Sequence, residues 1–281
     1  MINYYLLTKP GIILGNLFPF AAGFLLASRG KIDFWLFFAT LLGLAFIIAS
    51  ACIFNNYIDR KVDKKMDRTK NRALASGLVS VRSAITLAVV LGLTGNVILF
   101  VYTNLLTVLL AGVGFFVYVL LYSIWKCRTV YGTAIGSISG AIPPVVGYCA
   151  VSNQFDAGAL VLFMMLVLWQ MPHFFAIAML HFEDYKKAGI PVLPVIKGVL
   201  RTKIHMVIYI AAFIFSAAML TYFKYTGYLY LIVTAGIGLA WLVLSIKGFS
   251  SDNDTLWGKN MFRLSLVLIM ALCLVIPFDI I

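Results

Sequence analysis

The sequence predicts an all-α, polytopic membrane protein with nine transmembrane helices, its N-terminus cytoplasmic and its C-terminus periplasmic. Three observations carry this reading. Of the 281 residues, 63% are hydrophobic and 11% charged, with a mean hydropathy of +1.01, whereas soluble domains run at about 45–50% apolar and about 25% charged. The apolar residues fall into long runs free of Asp, Glu, Lys and Arg, and a spanning helix needs about 20 such residues. The basic residues are unevenly divided: with the N-terminus inside, 19 of the 22 Lys and Arg fall on the cytoplasmic side and only Arg29, Lys31 and Lys224 fall outside, as the positive-inside rule requires.

The spans follow in order as 10–28, 34–54, 83–101, 105–124, 131–150, 158–178, 204–223, 226–246 and 261–278, in one domain covering 1–281. The third and fourth come from a single uncharged run, 83–125, whose 43 residues at about 1.5 Å each would be twice the thickness of a hydrocarbon core of about 30 Å. It is expected to break near Tyr102, Thr103 and Asn104. The last span extends back to Met261 if Arg263 snorkels to the interface. Outer loops are short, while two inner loops, 55–82 and 181–203, are long and rich in ionisable groups. The first apolar run is too long for a signal-peptide core and lacks a basic leader, so it is expected to remain as an anchor. The net charge of +12 would suggest nucleic acid in a soluble protein. Here the charges sit between apolar runs and point to topology, anionic headgroups or an anionic substrate. The four cysteines show no CxxC spacing and read as small buried hydrophobes.

Chemistry concentrates where the second span ends. Asn55, Asp59, Asp63 and Asp67 recur every four residues, and on a helix each such step turns the face by only about 40°. Carboxylates stacked this way repel unless a cation lies between them. A hard divalent ion such as Mg²⁺ takes oxygen ligands and is commonly shared between one or two carboxylates and substrate phosphates. Asp67 is the least secure member. Arg68, Lys70 and Arg72 follow, and the planar fork of arginine suits phosphate oxygens. Carboxylates for Mg²⁺ beside arginines for phosphate describe a diphosphate site. The bland alternative is an interfacial helix whose acids pair with neighbouring bases, and for Lys61, Lys64 and Lys65 that alternative is preferred.

The stretch NNYIDRKVD, followed by RTKNRALASG, resembles the N-x-x-x-D-x-x-x-D region and trailing R-T-x-x-R-x-L of the UbiA superfamily of intramembrane prenyltransferases. The resemblance implies a nine-helix bundle around a central, lipid-open cavity. It also implies Mg²⁺ on Asn55, Asp59 and Asp63, with Arg68 and Arg72 on the diphosphate of an allylic substrate.

Two further segments bear on the acceptor. Between Tyr131 and Tyr148, Gly132, Gly136 and Gly140 form a small-residue stripe before Pro143-Pro144, which by itself means close helix packing and a kink. In LWQMPHFFAIAMLHFEDYKKAGIPVLPVIKG, from Leu168 to Gly198, His173 lies within a span, and an intramembrane ionisable residue is a functional candidate by default; packing beside the Pro172 kink is the alternative. Together these segments resemble the haem-farnesylating branch of the same superfamily, a similarity running from Thr8-Lys9-Pro10-Gly11 to the eighth span. That implies farnesyl diphosphate and haem b as substrates, farnesyl transfer to the 2-vinyl group with water addition, a bacterial inner-membrane location with a cytoplasm-facing site, and contact with haem–copper oxidase biogenesis. His173 would ligate the haem iron or orient the water. Many relatives carry a second D-x-x-x-D motif after the sixth span, whereas here Asp184 is followed four residues later by Ala188. Asp184 remains a candidate metal ligand, with Lys187, Lys197 or Arg201 replacing some of the missing charge at the diphosphate.

Tyr118 and Tyr122, spaced i, i+4 near the cytoplasmic end of the fourth span, are candidates to steady an allylic cation, or stand in the interfacial aromatic belt. Three other classes compete: a UbiA-type enzyme acting on a quinone precursor, a secondary transporter, and a phosphatidyltransferase. The boundary position of the acids weighs against the transporter, and the lack of a D-G element beside Asp59 and Asp63 against the phosphatidyltransferase.

Overall fold

The computed structural model describes residues 2–281. Among them nine helices are long and apolar enough to cross a membrane: α1 (Pro10–Ser28), α2 (Phe34–Asp63), α3 (Val81–Tyr102), α4 (Leu105–Trp125), α5 (Gly132–Ser152), α6 (Ala157–Leu180), α7 (Val199–Tyr222), α8 (Tyr228–Ser250) and α9 (Asp254–Phe278). The only β-pairing among the described residues is one isolated antiparallel bridge between Thr226 and Ile280.

The expected break in the 83–125 run falls where it was placed. Thr103 closes α3, and Asn104 opens α4 as an N-cap that accepts from the Thr107 backbone N–H at 2.9 Å. The same Asn104 donates to the Cys149 carbonyl at 2.8 Å and so ties the turn to α5. These side-chain bonds satisfy polar groups that the two helix ends leave open at the turn.

Three helix boundaries move by about five residues or more from those read in the sequence. Helix α2 runs to Asp63 rather than ending at 54, so Asn55, Asp59 and Asp63 of the acidic row are helical, while Asp67 lies in the loop that begins at Lys64. The inner loop expected at 181–203 contains short helices at Phe182–Ala188 and Leu193–Lys197, and α7 already begins at Val199 rather than 204. Helix α9 begins at Asp254, not at 261, behind an Asn253 N-cap. The last two shifts share a cause: Lys203 in α7 is buried and pairs with Asp254 of α9 at 2.5 Å, with Trp257 beneath the ammonium at 5.3 Å. Paired charges can lie inside helices that a hydropathy run would cut short.

Between helices in a bilayer there is no hydrophobic drive, because lipid tails are as apolar as leucine; close van der Waals contact at small residues substitutes for it. Helix α1 packs along α5 and α2 along α3, while α6 lies between α7 and α9, and α8 closes against both of these. At the α1–α5 contact a Cβ on Gly23 would lie 2.0 Å from the Pro144 carbonyl oxygen, and one on Gly147 would lie 2.2 Å from that of Phe20. Only glycine lets these backbones meet. The outward side chains, such as Phe34, Trp35, Phe100, Phe215 and Ile232, are exposed and form the lipid-facing surface of the bundle.

Candidate active site

Helices α1, α2, α4, α5, α6 and α9 enclose a cavity of about 420 Å³, within the size range of small-molecule sites. Its lining is mainly apolar, with polar groups from Asn16, Tyr118, Tyr122, Ser139, Gln170 and His173.

Near the end of α2, Asn55, Asp59 and Asp63 are all buried on one face. Each is met by a basic side chain from a different segment. The Lys9 ammonium donates to Asn55 Oδ1 at 2.8 Å. Lys126, just after α4, pairs with Asp59. Arg72 grips Asp63 with bonds of 2.9 and 3.1 Å to its two oxygens. Lys9 directly precedes Pro10 and holds a left-handed backbone, φ 53°, a conformation that costs on the order of 1–3 kcal/mol in a residue with a side chain. Burial lowers its pKa to about 8.

The orientation of Asn55 is determined by α4. There the helix widens into a π-turn over Val117–Tyr122, a feature frequent at functional sites. Ser123 donates its hydroxyl back to the Tyr118 carbonyl at 3.2 Å, so its oxygen is free to accept from Asn55 Nδ2 at 3.1 Å. The Asn55 carbonyl oxygen therefore faces Lys9. The π-turn also stacks Tyr118 on Tyr122, with ring centroids 5.5 Å apart and an interplanar angle of 18°. Both rings line the cavity rather than a lipid interface. Gly136 admits the Tyr122 ring, since an added Cβ would come within 3.0 Å of it.

His173 lies deeper on α6, also lining the cavity. Its ring stacks on Trp169 at 4.7 Å, meets Phe262 at 5.0 Å and contacts Ser265 Oγ through Nδ1 at 2.7 Å. Gln170 donates to the Ser137 and Leu166 carbonyls. An added Cβ on Gly140 would come within 2.1 Å of the Gln170 side-chain oxygen.

Other candidates fall elsewhere. Asp67 is exposed; its ion pair with Lys70 holds its carboxyl below the usual range, and it reaches Lys187 at 3.6 Å. Lys70 is thereby directed at Asp67 and not at Asp63. Arg68 is directed at the helix Phe182–Ala188, where it donates to the Tyr185 hydroxyl at 3.4 Å. Asp184 lines a separate recess with His181, Glu183 and Asp254, and no group of three or more His, Cys, Asp and Glu able to hold a metal forms among the described residues. Lys197 and Arg201 are exposed, line neither cavity, and make no ion pair among the described residues. Lys197→Ala and Arg201→Ala are therefore expected to keep transfer within about twofold of the parent in a steady-state assay, surface changes of this kind being mild.

Sequence reasoning missed Lys9, Lys126, Ser123 and Ser265. Neither lysine stands out as a site residue in the sequence: Lys126 reads as a topology signal, and Lys9 as one that also falls in Thr8-Lys9-Pro10-Gly11, where the family resemblance begins.

A nine-helix bundle with a buried, base-paired cluster of oxygen ligands beside an apolar cavity defines an intramembrane enzyme for a substrate with an anionic head and a lipid tail. The sequence matches the UbiA prenyltransferase family over residues 16–267, and the chain belongs to that family. It is 57% identical, over the whole of both chains, to the protohaem IX farnesyltransferase of Protochlamydia amoebophila (strain UWE25). Its fold is similar to that of a digeranylgeranylglyceryl phosphate synthase, with a TM-score of 0.81 and 18% identity over 98% of this chain and 96% of the other. It is also similar to a UbiA homologue from Archaeoglobus fulgidus bound to DMAPP and Mg²⁺, with a TM-score of 0.70 and 20% identity over 98% of this chain and 99% of that one.

Proposed function

We propose that this chain transfers the farnesyl group of farnesyl diphosphate to the 2-vinyl group of haem b, with addition of water, releasing diphosphate and haem O. The observation that carries this is that the acidic face adjoins the wall of the cavity that also holds His173: Asn55 is tied through Ser123 to the Tyr118 carbonyl, Lys126, paired with Asp59, lies 4.9 Å from the Tyr122 ring centroid, and both tyrosines line that cavity. Identity of 57% along its whole length to a chain named for this reaction supports it.

The donor set fits Mg²⁺: two carboxylates and an amide oxygen on successive turns, with no sulfur and no imidazole among them. Asn55, Asp59 and Asp63 would hold the ion. Bound there, it would counter the charge developing on the diphosphate oxygens. Arg72, Lys126 and Lys9 bring cationic donors to the same point; such preorganised charges stabilise a leaving anion without reorganising. As the allylic carbon–oxygen bond breaks, the faces of Tyr118 and Tyr122 lie along the cavity wall to steady the cation. The vinyl terminal carbon then forms the new carbon–carbon bond. Water adds at the adjacent carbon and gives up a proton, leaving a hydroxyl group. The apolar lining keeps other water from the cation.

With 19 of 22 basic residues on its side, the pocket faces the cytoplasm of a bacterial inner membrane, and the product serves haem–copper oxidase assembly. The test is haem extraction from cells with and without the chain: a farnesylated haem should appear only with it, and its absence under good expression would remove the acceptor assignment. In vitro, chelation with EDTA should abolish transfer and excess Mg²⁺ restore it. Ser123→Ala should raise the Mg²⁺ concentration for half-maximal rate about tenfold, the usual scale for losing a partner that orients a metal ligand, whereas Ser123→Thr should not.

A further inference from the structure

The hydrogen bonds around His173 fix which of its nitrogens carries the proton. Ser265 Oγ lies 2.6 Å from the Phe262 carbonyl oxygen and 2.7 Å from His173 Nδ1. Two oxygens at 2.6 Å need a hydrogen between them, and a serine has only one to give. That hydrogen goes to Phe262, so the Nδ1 contact requires Nδ1–H donating to Ser265. In a neutral imidazole the other nitrogen is then a bare lone pair. Nε2 makes no hydrogen bond among the described residues, is not among their sealed polar atoms, and belongs to a residue lining the cavity.

The surroundings decide what that lone pair suits. His173 is only 9% exposed and Ser265 is 0% exposed. The ring is held by Trp169, Phe174 and Phe262 at 4.7, 5.7 and 5.0 Å, and the Trp169 indole N–H is itself tied to the Ser265 carbonyl at 3.0 Å. No carboxylate contacts the ring among the described residues, so a proton taken up on Nε2 would create an unpaired imidazolium in apolar surroundings, which is costly. A neutral nitrogen with fixed ring plane and a hydrogen-bonded Nδ1–H is instead the form in which histidine binds metals.

Given the haem acceptor proposed above, we propose that Ser265 is a positioning residue: it locks His173 as the Nδ1–H tautomer so that Nε2 ligates the iron of the acceptor porphyrin. The cavity then selects its acceptor by the metal as well as by the macrocycle. Haem binds through Nε2, and metal-free protoporphyrin cannot.

The test uses the purified full-length protein in lipid nanodiscs, titrated with haem and, separately, with metal-free protoporphyrin IX. The parent should give the absorption and electron paramagnetic resonance signature of nitrogen-ligated haem. His173→Gly should lose it, and added imidazole should restore it. Ser265→Ala should weaken haem binding about 10-fold or more, the scale on which partners of metal-bound histidines act. It should leave both the KM for farnesyl diphosphate and the affinity for metal-free protoporphyrin unchanged. Ser265→Thr, which keeps the hydroxyl, should restore haem affinity. If the parent farnesylates haem and His173→Gly keeps the nitrogen-ligated signature, the ligation is wrong while the acceptor reading stands. Equal losses of haem and metal-free porphyrin in Ser265→Ala would reduce Ser265 to a packing residue and overturn the proposal. A parent that neither binds nor farnesylates haem overturns both.

Discussion

Asp59→Ala is expected to reduce prenyl transfer by about 10²–10³-fold or more, the range seen when one preorganised stabilising group is removed from an active site. The change acts twice. It deletes one of two carboxylates available for a divalent ion, and it leaves Lys126 partnerless at a position where its side chain is only 16% exposed. Stripping one member from a buried ion pair typically costs about 3–5 kcal/mol of stability, so loss of activity alone would not distinguish a broken site from a broken fold. The double variant Asp59→Ala/Lys126→Met separates them. It removes the stranded ammonium and should recover membrane-integrated, monodisperse protein with parental thermal stability, while transfer stays abolished. Recovery of transfer in the double variant would show that Asp59 serves only to neutralise Lys126. Asp67→Ala is the matched control: its carboxylate is exposed and paired at the surface, and transfer should be nearly unchanged.

The second large effect is structural. Gly23→Ala should lower stability by about 3 kcal/mol, at the upper end of the usual cost of overpacking, because the added methyl would lie 2.0 Å from the Pro144 carbonyl oxygen. The obstacle is backbone, so no rotamer change relieves it and α1 must move away from α5. That movement would also disturb the cavity, since Gly15 and Pro19 of α1 and Ile142 and Pro143 of α5 all line it. Thermal unfolding in detergent checks the prediction. Gly236→Ala on α8 supplies the comparison, because a Cβ there meets nothing within 4 Å; it should be neutral or stabilising by up to about 1 kcal/mol, the intrinsic helix preference of alanine over glycine.

What was legible in the sequence is what lies within one helix. Hydropathy located nine spans, the polar run at Tyr102–Asn104 marked a break that Asn104 indeed caps, and spacing of four placed Asn55, Asp59 and Asp63 on one buried face. What was not legible depends on contacts between helices. Lys9 meets Asn55 across 46 residues and Lys126 meets Asp59 across 67, and nothing in their local sequence separates them from topology-setting lysines. The span reading ended α2 at 54, before the polar Asn55 and Asn56, and delayed α7 and α9 because a charge counts as polar until its partner is known. Lys203 and Asp254, read singly, end two helices; read as a pair, they join them. The π-turn that aligns Tyr118 with Tyr122 gives no periodic signal of its own. Ser265 was invisible because its importance lies in where its one hydrogen goes.

The most direct measurement is a competition in vitro. The purified protein is given farnesyl diphosphate and Mg²⁺ with equal concentrations of haem b and a phenolic quinone precursor, and both acceptors are followed by mass spectrometry. The expected result is haem gaining one farnesyl group and one water, with release of one diphosphate per haem and the phenol untouched. A prenylated phenol beside unmodified haem would contradict the central claim and move the chain to the quinone branch of its family.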